Sequence, residues 1–139
     1  VSGAEAVLRD ALTSWLEADA GVQAVLGNPV RINLTPEDER IRPFAAWGRC
    51  ETRPLDAQDV RLEEVRLTLQ LSVRAEDGLE ATGALREALG HAAPVLPAPW
   101  RLVRIQPVFS DVLRTRSIGL MRGVIRLLAL VEHEMEGAN

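Results

Sequence analysis

From Glu64 to Arg74 the chain alternates without a break. Val65, Leu67, Leu69, Leu71 and Val73 are interleaved with Glu64, Arg66, Thr68, Gln70, Ser72 and Arg74. Successive strand residues point to opposite faces of a sheet, so this segment is a strand with one covered face and one wet face. That pattern belongs to an antiparallel sheet rather than to a parallel sheet buried on both sides. Leu120–Val131 repeats it, with Gly123, Ile125, Leu127, Ala129 and Val131 on one parity. The apolar face needs a cover, which helices elsewhere in the chain must supply.

Two segments have the period to do so. Leu8, Ala11, Leu12, Trp15 and Leu16 recur at helical spacing, and Ser2 followed by Glu5 reads as a capping box, so residues 3–18 are expected to be helical. Asp77 with Glu80 opens a second helix running to about His91, with a stripe of Leu79, Thr82, Leu85, Ala88 and Leu89. Between them, Asp19 caps a short turn that Gly27 and Pro29 end. Val30–Leu34 is a short extended piece, and Thr35-Pro36-Glu37-Asp38 has the form of a single helical turn. Pro43 leads into a strand over Phe44–Glu51. After the prolines at 94, 97 and 99 comes a strand, Trp100–Ser110, in which Pro107 requires an edge or a bulge. Asp111–Ile118 reads as a polar turn and Glu132–Asn139 as a charged tail. The expected fold is α+β: one domain over residues 1–139, an antiparallel sheet with two main helices packed on one face. Leu8, Leu12, Trp15, Leu67, Leu69, Leu71, Leu85, Leu89, Ile125 and Leu127 are the expected core.

The inventory of reactive groups is thin. Cys50 is the single cysteine, which excludes an internal disulfide, and the two histidines stand at a helix end (His91) and in the charged tail (His133). A catalytic thiol needs a base beside it, so Cys50 reads as a small buried residue, with a Cys50 hydrolase as the weaker alternative. Glu132, His133, Glu134 and Glu136 lack the second histidine of a zinc helix. No glycine-rich phosphate loop exists among the ten scattered glycines. No catalytic, cofactor-binding or metal residue is therefore expected. The first ten residues carry charge early and hold no apolar run of the signal-peptide kind, and Leu127–Val131 is far too short to span a bilayer. The expectation is a soluble chain, folded in a reducing compartment and without membrane contact.

Charge narrows the partners. The net charge is −4, which argues against a general phosphate-binding surface. All basic residues are arginine, a sign of a GC-rich bacterial or phage genome. Arg101, Arg104, Arg114, Arg116, Arg122 and Arg126 form a loose cluster, either an anion or partner surface or the ordinary wet side of two strands. Thr52–Leu62 reads as a long mixed-charge loop between strong strands, a place where function often sits. It is either a contact loop or a solvated connector. Arg53, Asp56, Asp59 and Arg61 in this loop, with Arg114 and Arg116 in the later turn, are the candidate partner-interface residues.

Several strings, taken in order, resemble the tail-completion family of long-tailed phages and gene transfer agents, which includes tail terminators and tail-to-head joining proteins. Ala4-Glu5-Ala6-Val7-Leu8-Arg9-Asp10-Ala11-Leu12 is similar to its first helix. Ala18-Asp19-Ala20-Gly21-Val22, leading to Leu26-Gly27 and Pro29-Val30-Arg31-Ile32, looks like the next segment. Pro43-Phe44 opens a strand reaching Gly48, and Arg122-Gly123-Val124-Ile125-Arg126 with Ala129-Leu130-Val131-Glu132 closes the pattern. Ala45-Ala46-Trp47 departs from it, since the family tends to carry a proline and an aromatic there. The resemblance implies a structural, non-enzymatic subunit without cofactor, assembled in the bacterial cytoplasm into a phage-like particle. It implies a homo-hexameric ring that ends the tail tube, meets the head-side connector or stopper protein, and lets DNA pass without specific binding. The alternative of another class is a small cytoplasmic α+β dimer or ligand-binding module.

Overall fold

A computed structural model describes residues 3–33, 43–55 and 59–134. Helix α1 (Ala4–Glu17) is followed by the short α2 (Ala20–Leu26), then β1 (Ile32–Asn33), β2 (Phe44–Pro54) and β3 (Arg61–Arg74). A 3-10 turn at Ala75–Asp77 leads into α3 (Gly78–Gly90), and β4 (Trp100–Arg114) and β5 (Leu120–His133) complete the chain. The sheet order is β1-β2-β3-β5-β4. β2, β3, β5 and β4 pair antiparallel, and two-residue β1 adds a parallel contact to Ala45 and Ala46. The fold is α+β with an open sheet, as the alternation requires.

The core lies between the sheet and the helices. Val65, Leu67, Leu69, Leu71 and Val73 meet the inward side of β5, Ile125, Leu127, Ala129 and Val131, all at most 2% exposed. Above them pack Leu8, Leu12 and Leu16 of α1, Val22 and Leu26 of α2, and Ala81, Leu85, Ala88 and Leu89 of α3. Two indoles tie elements together. Trp47 Nε1 on β2 donates to Thr13 Oγ1 of α1 at 2.9 Å, and Trp15 Nε1 of α1 donates to the Ala88 carbonyl of α3 at 2.9 Å. Asp19 caps α2 by accepting from the Val22 amide.

Six expectations need correction. The N-cap of α1 is Gly3 with no side-chain bond, and Ser2 lies outside the described residues. Leu79 is 78% exposed, because the buried face of α3 runs through Gly78, Ala81, Thr82, Leu85, Ala88 and Leu89, one residue out of phase with it. Trp15 is half-buried rather than core, its indole N–H drawn to the layer boundary by the Ala88 carbonyl. Strand pairing continues through Pro54 and resumes at Arg61, so the long loop shrinks to a hairpin end; likewise β4 continues to Arg114, well into the expected polar turn. His133 is not in a tail: it ends β5, its ring edge-on to Trp100 at 4.7 Å. The helical turn expected at residues 35–38 lies outside the described residues.

Candidate functional site

The helices cover one face of the sheet only. On the other face, register sets Arg66 beside Glu51 and Leu128, Arg126 beside Thr68 and Phe109, and Arg122 beside Ser72 and Leu113. With Arg49, Gln70, Val108 and Val124, most of these side chains line an open concavity of about 620 Å³. Val108, Phe109 and Leu113 are 53%, 46% and 46% exposed. Arg126 lies over the Phe109 ring at 4.9 Å, a cation–π contact. Arg66 pairs with Glu64 at 2.9 Å and Arg49 with Glu51 at 2.6 Å, while Arg122 forms no ion pair among the described residues. Arginines beside exposed aliphatic and aromatic groups are the composition of a protein interface.

Cys50 is opposite Leu67 in the ladder, on the helix-facing side and half-buried. Burial pushes its thiol above the ordinary range; Glu5 and Glu51 push the same way, while Arg9 and a hydrogen bond with Thr52 oppose. A thiol kept protonated is a poor nucleophile. His91 caps the C-terminus of α3, and His133 packs on Trp100. No three metal-ligating side chains converge among the described residues.

The five described candidate interface residues do not form one patch. Arg53 is on β2 opposite Glu64, Asp59 is in the adjoining turn, and Arg61 starts β3, 3.6 Å from Glu63 and 5.9 Å from the Trp100 ring centre. Asp56 lies outside the described residues. Arg114 ends β4 and Arg116 stands in the β4–β5 turn. Because Arg61 pairs with His133 and Arg74 with Leu120, these two groups occupy opposite ends of the sheet. At about 3.3 Å per residue the ends are roughly 40 Å apart.

β4 carries two register shifts against β5, between Leu102 and Arg104 and between Pro107 and Phe109. Each bulge adds a residue and reverses the parity. Leu102, Ile105 and Val112 are opposite inward residues of β5, whereas Phe109 and Leu113 are opposite Arg126 and Arg122. The one local signal was Pro107, which demands an irregular edge strand without saying where the parity turns.

The family model for tail completion protein gp17 matches residues 10–132. Among solved structures, a chain from the virion of a native gene transfer agent (GTA) particle superposes with a TM-score of 0.79. That match covers 95% of this chain and 99% of that one at 19% sequence identity, a likeness of fold. No curated protein sequence matches.

Proposed function

Since the chain belongs to the tail completion protein gp17 family and is thus a structural subunit of a phage-like tail, we propose that copies of it close into a sixfold ring at the end of the tail tube. One side of the ring meets the tube and the other the head-side connector, and DNA passes through without specific binding. The subunit works by contact and carries out no reaction. It acts as one domain and assembles in the bacterial cytoplasm before the tail is joined.

The observation that supports this is the half-covered sheet. One face is sealed by helices, and the other presents Val108, Phe109, Leu113, Val124 and Leu128 among arginines. Soluble surfaces that gather apolar groups in this way meet partners. A ring repeats one heterologous contact, in which two different patches of the subunit face each other. The acidic balance of the whole chain, −4, is the other half of that argument: arginines gathered on the sheet leave acids in excess elsewhere. Continuous edge-to-edge sheet extension through β4 is disfavoured by Pro107 and the two bulges, so side-chain faces carry most of the subunit contact.

The test is removal of this chain from the producing cell. The expected result is filled heads and separate tails of irregular length. Joined particles with tails of normal length would contradict the proposal.

A further inference from the structure

We infer that the β4–β5 hairpin tip is a preformed plug that enters an apolar, carboxylate-rimmed socket on a protein other than this chain. The inference rests on the tail-completion reading and adds to it the residues and chemistry of one axial contact.

Ile118 stands at the tip with 102% relative exposure, the full value for an isoleucine side chain held away from any neighbour. The turn that carries it is well organised. Thr115 Oγ1 bonds to the carbonyls of Ser117 and Leu120, both at 3.1 Å, and accepts from the Ser117 amide at 3.2 Å. The Leu120 amide donates to the Ser117 carbonyl at 3.3 Å. Gly119 takes a φ of +83°, a conformation that side chains rarely adopt, and its carbonyl accepts from the Ala75 amide at 2.8 Å, tying the tip to the end of β3. A turn fixed by this many bonds loses little entropy on docking, so its exposed isoleucine is a pre-organised anchor.

The charge around the anchor is mainly basic. Arg114 and Arg116 precede it in sequence, and Arg74 stands at the paired end of β3. None of the three forms an ion pair among the described residues. Glu76 and Asp77 lie in the 3-10 turn that follows Arg74, beside the tip, where the Ala75 amide bonds the Gly119 carbonyl. Free guanidinium groups around an aliphatic knob fit a pocket with apolar walls and a rim of carboxylates. A DNA phosphate surface would use the arginines but give the isoleucine nothing to bury against. The tip is also at the far end of the sheet from the β2–β3 hairpin.

The test places the photo-crosslinking residue benzoylphenylalanine at position 118 in otherwise intact, assembled particles. The expected product joins this chain to a different tail or head protein, through a segment holding Asp or Glu beside apolar residues. In parallel, Ile118→Ser should lower the yield of joined particles about tenfold or more, the cost of losing one buried aliphatic anchor, and Ile118→Val should restore most of it. Thermal unfolding of the free subunit should not move in either variant, because residue 118 touches nothing within the subunit. Crosslinks to a second copy, to DNA or to nothing, in particles that contain the chain, would overturn the plug while leaving the tail-completion reading standing. Unchanged particle yield with Ile118→Ser would overturn it as well. Particles that lack the chain altogether would remove both.

Discussion

Gly123 on β5 faces the helices, and a Cβ there would meet Thr82 Oγ1 of α3, with Leu71 Cβ at 3.4 Å behind it. Thr82 is 1% exposed and its hydroxyl has no bonding partner among the described residues, so the helix comes close at this point because the strand has no side chain. Gly123→Ala should therefore cost about 1–3 kcal/mol through overpacking, and adding Thr82→Ala should recover part of it; urea unfolding of the single and double variants measures both. At Leu69, 0% exposed in the middle of β3, truncation to alanine should cost about 2–5 kcal/mol. Cys50 gives a pH prediction. Its raised pKa means less thiolate in the folded protein at any given pH, so alkylation should be slower than in the urea-unfolded chain and should speed up as pH rises. Equal rates in the two states would show that burial does not protect the thiol. The role of Gly123 was half legible in the sequence: its inward parity was visible, but the hydroxyl opposite it comes from an element 41 positions away in the chain.

At the level of elements, what could be read depended on local period. β3 and β5 keep strict alternation over their expected spans and extend beyond them, from Arg61 and to His133, and α1 and α3 keep a helical stripe. β4 does not, because its two bulges flip which residues face outward, and a bulge is set by pairing with β5 rather than by β4 alone. The two shifts cancel beyond Pro107, so Phe109 and Leu113 face outward as plain alternation from Leu102 would place them; the candidate surface escaped notice because Leu113 falls in the segment that reads as a polar turn. The hairpin ends were misread for a related reason: Thr52, Arg53, Pro54, Arg61 and Leu62 have polar or mixed character, yet the ladder to β3 and β5 carries them as strand. Opposite-end placement of Arg53 and Arg61 against Arg114 and Arg116 is a property of pairing register, which no single segment encodes. The outward reading of β4 predicts a separation of effects. Leu113→Asp should leave stability within about 0.5 kcal/mol, as exposed substitutions do, while strongly reducing incorporation of the subunit into particles. A fall in the unfolding midpoint large enough to explain the loss would mean that Leu113 belongs to the core instead.

At the scale of the molecule, helices on one side and a bare, arginine-rich face on the other give a subunit that is finished inside and unfinished outside. The core needs no partner: the helix–sheet interface is filled by aliphatic side chains exposed by 2% or less. The outer face and the two sheet ends are the surfaces we propose for its contacts, in a chain of the tail completion family. Ring closure is the central claim, and a reconstruction of the intact particle tests it most directly. The account predicts this chain in a closed ring of identical copies at the head-side end of the tail tube, with the β2, β3, β5 and β4 outer face covered by neighbouring protein. Density that places the chain in a single copy, off the tail axis, or with that face open to solvent would contradict it.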